Sequence, residues 1–163
     1  MSHTRAPMER LIRANAGEIN RLRQAIREAA GARWRGPEEM QRHAAACVEY
    51  NQRYELLAFP GGYANALKQL AEHDPNTVDV VLTFLEVRPY FFRSGYMWKT
   101  LLKRVQRVPM GGKQQARMQK ILDAYAVYRA GSRHTRSLHA MRGDRAAASI
   151  QAGPGSAIIC TGF

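Results

Sequence analysis

An all-α fold, a small helical-repeat-like bundle of about six helices, is what this sequence predicts, and three observations predict it. Apolar residues recur at the helical period in six successive segments. Prolines and glycines fall between those segments, where helices start and stop. No strand is convincing: the alternation over residues 156–163, SAIICTGF, is short and ends a segment with no other core signal. At 163 residues the chain is about one domain long and can bury a core.

The first helix is expected from about residue 8 to residue 30, with Leu11, Ile12, Ile19, Leu22 and Ile26 on one side. Arg10, Arg13, Arg21 and Arg27 tend toward the other. Gly31 and Gly36 in GARWRGP end it. Pro37 suits the first turn of a second helix, and Glu38 and Glu39 follow where the helix dipole favours acids. Met40, Ala44, Cys47, Tyr54 and Leu57 give that helix its apolar side. FPGGY at 59–63 is a turn, after which a short third helix carries Tyr63, Leu67 and Leu70. Asp74 and Pro75 pair an N-cap with an N1 proline and open a fourth helix holding Val78, Val81, Leu82 and Leu85. It ends before Pro89, because the residue preceding a proline avoids the helical region. A fifth, basic helix begins near Ser94 and closes at Pro109. After the turn MGGKQQ, a sixth presents Met118, Ile121, Leu122 and Tyr125.

From Gly131 the periodicity fades, and small residues and scattered arginines predominate. Such a segment buries too little apolar surface to offset its ordering entropy. A helical domain over residues 1–130 and a basic, mostly disordered tail over 131–163 are therefore expected, with a short helix near residues 144–150. Within the domain, Gly62-Tyr63 and Gly95-Tyr96 lie 33 residues apart, and Pro75 and Pro109 lie 34 apart. A helix pair repeating at that period is what a short HEAT-like or TPR-like stack looks like.

Charge is the strongest global signal: 25 lysines and arginines against 13 acids give +12. That balance points to anionic partners and says nothing of fold. It is also uneven. Between Glu86 and Asp123 there is no acid across 36 positions, yet nine cations occur, Arg88, Arg93, Lys99, Lys103, Arg104, Arg107, Lys113, Arg117 and Lys120. An ordinary solvated helix face mixes signs, because opposite charges at i,i+4 support it. On a helical wheel Met97, Trp98, Leu101, Leu102, Val105 and Val108 share one arc, and Lys99, Lys103, Arg104 and Arg107 oppose it. The aromatics before this helix, Tyr90, Phe91 and Phe92, are expected to wedge the turn into the core rather than to stack on bases. Arg93-Ser94-Gly95 adds a candidate anion site: Ser94 as cap, Gly95 for close approach, Arg93 as a fork for phosphate or carboxylate. The candidate binding residues are thus Arg88, Arg93, Ser94, Gly95, Lys99, Lys103, Arg104 and Arg107.

Phe84, Leu85, Glu86, Pro89, Phe91, Phe92, Arg93, Ser94, Gly95 and Tyr96 form a pattern that resembles a segment of small bacterial all-helical proteins of unknown function. The likeness spans roughly residues 74–125. It implies an all-helical, repeat-like fold and carries no activity with it.

Nothing in the sequence argues for catalysis, a cofactor or a metal. Walker, GxSxG and HExxH patterns do not occur. Cys47 and Cys160 stand apart without CxxC spacing, and Cys47 is expected as a buried thiol, although His43 and Glu39 sit one turn and two turns before it. Asp74 in EHDP is better used as a helix cap than as a metal ligand. No apolar run is long enough to span a bilayer, and the first twenty residues lack the apolar block of a secretory signal, so a cytoplasmic setting is expected. Peripheral membrane contact would need the arc of Met97, Trp98 and Leu101 exposed. The expectation is a non-catalytic helical interaction module, an adaptor or scaffold whose basic face meets an acidic protein surface. The alternative is sequence-nonspecific binding to the phosphate backbone of RNA or DNA.

Overall fold

The computed structural model describes the backbone of residues 5–150 and side chains as far as Gly131. Six helices and no strand occur among the described residues: α1 (Arg5–Ala32), α2 (Pro37–Ala58), α3 (Tyr63–Ala71), α4 (Pro75–Val87), α5 (Ser94–Val105) and α6 (Gly112–Ile150). The chain divides into two compact units, Met1–Ile121 and Leu122–Phe163.

In the first unit α4 is the central helix, with α1, α3 and α5 packed against it. Its sequence is apolar almost all round, and Val78, Val81, Leu82, Phe84 and Leu85 are all buried. Asp74 caps it as its sequence requires, its carboxylate accepting from Thr77 N–H at 2.7 Å, with Pro75 at N1. Phe59, from the turn after α2, meets Phe84 with ring centroids 5.2 Å apart and fills the floor of the core. From α5, Met97, Trp98, Leu101, Leu102 and Val105, with Val108 beyond, are buried as the wheel predicts. Trp98 Nε1 donates to the Leu85 carbonyl at 3.0 Å, which satisfies a backbone group in the last turn of α4 and fixes α5 to it.

α1 and α2 form a hairpin, and α1 provides its main packing on α4. Ile12, Ala16, Ile19 and Leu22 are its buried stripe. Leu11 is 45% exposed, one position off that stripe and outside the core. α2 departs further from expectation. Pro37 opens it with Glu38 and Glu39 in its first turn, but Ala58 is its one buried residue. Met40 and Ala44 are exposed, Cys47 is half-buried, and Val48 and Leu56 face solvent with them. Periodicity marks which side of a helix is apolar; here the cover it receives comes mostly from α1, with smaller contributions from α3 and, at Tyr54, from the corner before α5.

α6 runs on through Gly131 to Ile150, where little helix was expected. Residues 140–150 are mostly Ala, Arg and Met, all strong helix formers, and no proline occurs before Pro154. Each of the two glycines in this stretch, Gly131 and Gly143, costs a helix only about 1 kcal/mol. Residues 151–163, with Cys160, lie outside the described residues.

Candidate anion-binding surface

The site is built on the corner between α4 and α5. Pro89 forbids α4 to continue, and Arg88 closes it in a left-handed conformation (φ 48°), its N–H donating to the Phe84 carbonyl at 3.0 Å. The chain then alternates. Phe91 turns inward and is buried, its ring edge-on to Tyr54 at 6.4 Å. Tyr90 and Phe92 turn outward. This corrects the expectation that all three aromatics wedge into the core: one does. The cause is the turn over residues 91–93, closed by Ser94 N–H on the Phe91 carbonyl, which leaves Phe91 beneath and Phe92 outside.

The backbone beneath those outward rings is pinned from three directions. Asn20 Nδ2 of α1 donates to the Tyr90 carbonyl at 2.8 Å, and Tyr54 Oη of α2 donates to the Phe92 carbonyl at 2.9 Å. Phe91 N–H donates to Ser94 Oγ at 3.1 Å while Ser94 N–H returns to the Phe91 carbonyl at 3.0 Å. Ser94 is buried and its hydroxyl is engaged in this turn, so it holds the corner rather than facing outward. Arg93, not Ser94, is the N-cap residue, in a left-handed conformation (φ 66°), and its own carbonyl accepts from Tyr96 and Met97.

From that corner the predicted cations are laid out along α5. Lys99, Lys103 and Arg104 lie on the helix and Arg107 in the turn just past its end; all are exposed. Gly95 is exposed in the first turn, and a Cβ placed there would meet nothing within 4 Å. Arg88 is exposed at the far end of the corner with its guanidinium 5.4 Å from the centre of the Trp98 ring. The apolar arc of α5 is buried, so the helix keeps no apolar face for a lipid surface.

Among the described residues, some cations of the folded chain are paired with acids and others, Arg10, Arg13 and Arg27 of α1 among them, are not. On the α1–α2 hairpin, Glu18 binds Arg21 at 2.7 Å and Arg53 at 2.8 Å, and Arg53 also meets Glu49. The hydrogen bond from Arg21, reinforced by Arg53, lowers the Glu18 carboxyl to about 2. Arg117, a member of the acid-free stretch, forms a two-pronged bond to Glu86 at 2.9 Å, reaches Asp79 at 3.2 Å and donates to Thr83 Oγ1. It clamps α6 to α4, and that hydrogen bonding raises its own pKa. By contrast Arg93, Lys99, Lys103, Arg104 and Arg107 pair with no carboxylate among the described residues. Lys99 and Lys103 are like-charge neighbours one helical turn apart, costing roughly a few tenths of a kcal/mol.

Four residues of this surface were not among the candidate binding residues. Arg23 of α1 lies with its guanidinium 4.3 Å above the Phe92 ring. Tyr96 is exposed on the first turn of α5. Tyr50 and Tyr54 meet in a tilted pair, ring centroids 5.3 Å apart; burial raises both hydroxyl pKa values, and the charges of Arg23 and Arg93 oppose that rise. Tyr50 Oη is buried with no hydrogen-bond partner among the described residues. A wheel drawn for α5 could have found Tyr96. Arg23 comes from 70 positions upstream of Arg93, and no local pattern announces it.

Elsewhere, Cys47 Sγ lies 3.8 Å from His43 Nε2, a long and half-buried contact. A depression of about 400 Å³ is lined by Phe59, Pro60, Gln69, Asp74 and Thr77, but the Asp74 carboxylate there is committed to capping α4. No group of His, Cys, Asp and Glu that could hold a metal occurs among the described residues, and none of their helices is long and apolar enough to cross a membrane. No family model matches the chain, and neither a curated protein nor a solved structure does. What the fold itself defines is an all-α helical protein, and what its surface offers is a cationic helix face beside an aromatic corner.

Proposed function

We propose that this chain is a non-catalytic helical interaction module, an adaptor or scaffold, whose α5 face and preceding corner bind a partner rich in carboxylate or phosphate. The observation that carries the reading is the contrast in pairing. Arg21 and Arg53 on the hairpin and Arg117 on α6 have acids built around them, whereas the neighbouring cations Arg93, Lys99, Lys103, Arg104 and Arg107 have none among the described residues. Folding alone gains nothing from that arrangement, because a single glutamate among them would relieve repulsion. A polyanion supplies from outside what the fold withholds. The α3–α4 and α5–α6 pairs, in which α3 packs on both α4 and α5, belong to the same proposal as two units of a short HEAT-like stack, as does a cytoplasmic setting.

Retention on immobilised heparin, a sulfated polyanion, tests location rather than net charge. The double variant K103E/R104E is compared with R10E/R13E on the exposed side of α1, an equal change in charge. The expected result is that K103E/R104E elutes at clearly lower salt than R10E/R13E. Equal elution of the two would show that overall charge, and not this face, does the binding.

A further inference from the structure

Neutralising a cationic face does not require aromatic rings, yet the corner displays three. Tyr90 is 87% exposed, Tyr96 67% and Phe92 46%, all within seven residues. A solitary exposed tyrosine is ordinary. These three instead flank Arg93 in the chain, and Arg23 covers one face of Phe92 at 4.3 Å. The turn bearing Tyr90 and Phe92 is fixed by bonds from Asn20 and Tyr54 and by the Phe91–Ser94 pair. Rings on a pinned backbone lose little freedom when another ring settles on them.

Arg93 adds a second sign of use. A left-handed residue other than glycine is disfavoured, and the corner accepts that conformation at an arginine whose side chain is exposed and unpaired with acid. The candidates for an occupant differ in what they can offer. An acidic peptide satisfies the cations but brings no flat faces for the three rings. An anionic lipid surface needs an apolar arc to enter it, and that of α5 is buried. Duplex nucleic acid keeps its base faces stacked inside. A single strand offers unstacked bases together with a phosphate at each step, the combination that sequence-tolerant binding sites exploit. Lys99 and Lys103 lie one helical turn apart on α5, about 6 Å along the axis, with Arg107 in the turn beyond its end, in reach of phosphates of an extended strand.

Resting on the cationic-face reading above, we infer that Tyr90, Phe92 and Tyr96, with Arg23 and Arg93, form a stacking platform for single-stranded nucleic acid, whose backbone continues along Lys99, Lys103 and Arg107. The platform recognises bases by their faces, so it discriminates single strand from duplex and not one sequence from another.

The test is fluorescence anisotropy with a labelled oligoribonucleotide of about 15 residues, free and annealed to its complement, at about 50 mM salt. The full chain is used, as parent, Y90A/F92A, Y96A and K103E/R104E. The single strand is expected to bind the parent at least about tenfold tighter than the duplex. Y90A/F92A, and independently Y96A on the helix, weaken single-strand binding by about fivefold or more and leave the duplex unchanged. K103E/R104E weakens both. Thermal melting confirms that each variant is folded. Single-strand binding no tighter than duplex, or unaltered by the aromatic variants, overturns the platform; the cationic-face reading survives that result if K103E/R104E still weakens both probes. Binding of neither probe also overturns it, and heparin retention then decides whether the face serves an acidic protein.

Discussion

Replacing Arg93 with glycine separates what the corner does for folding from what it does for binding. Arg93 adopts φ 66° and ψ 0°, a region that costs an ordinary L-residue about 1–2 kcal/mol and glycine almost nothing. Glycine also gives the unfolded chain more freedom, which takes back about 0.4–1 kcal/mol. The exposed Arg93 side chain has no carboxylate partner among the described residues, so its removal forfeits no ion pair. The net expectation is a gain of about 0.5–1 kcal/mol, or roughly 2–5 °C in melting temperature for a domain of this size. Binding should move the other way. With one phosphate contact fewer, the slope of log K against log salt for a single strand should flatten by about 0.7. Urea denaturation and salt-dependent anisotropy read the two quantities. A loss of more than about 1 kcal/mol in Arg93→Gly would show that the arginine supports the fold, and the argument from its conformation would collapse.

Further outcomes follow from the same geometry. Phe91→Ala should cost about 3–5 kcal/mol in urea unfolding, whereas Tyr90→Ala and Phe92→Ala should each cost less than about 1 kcal/mol, because only Phe91 is buried. Arg117→Ala should destabilise by about 2–4 kcal/mol, since Glu86 would keep only Arg5 at 3.0 Å, while leaving polyanion retention close to that of the parent. The Glu18 carboxyl falls from 4.5 to about 2 on folding, so its contribution is complete above pH 4.5 and disappears as pH drops toward 2. Glu18→Gln should therefore flatten the fall in melting temperature across that window, and an unchanged acid limb would contradict the Glu18–Arg21–Arg53 network.

The parts of the fold legible in the sequence are those decided locally. Asp74-Pro75 specifies its own cap, and the arc of α5 buries every residue its periodicity selects, because α4 lies there to receive it. Met40 and Ala44 follow the same period on α2 and remain exposed, since a repeat does not say whether a neighbour exists. The site divides similarly. Lys99, Lys103, Arg104 and Arg107 were readable from one helix, while the pairing of Arg117 with Glu86 depends on α6 meeting α4. Ser94 looked like an outward cap and is turned inward by its bond to Phe91. The outward rings of Tyr90 and Phe92 depend on Asn20 and Tyr54 gripping carbonyls from 70 and 38 residues away.

The central claim is that an anionic partner settles on the corner and α5, and amide chemical-shift mapping tests it residue by residue. A short sulfated oligosaccharide is titrated into isotope-labelled protein at about 50 mM salt, where exposed charges are weakly screened. Shifts concentrated from Tyr90 to Arg107, with Arg23 as the distant responder, are the predicted result. Shifts spread evenly over the exposed arginines of α1 and α2, or confined to them, would contradict it.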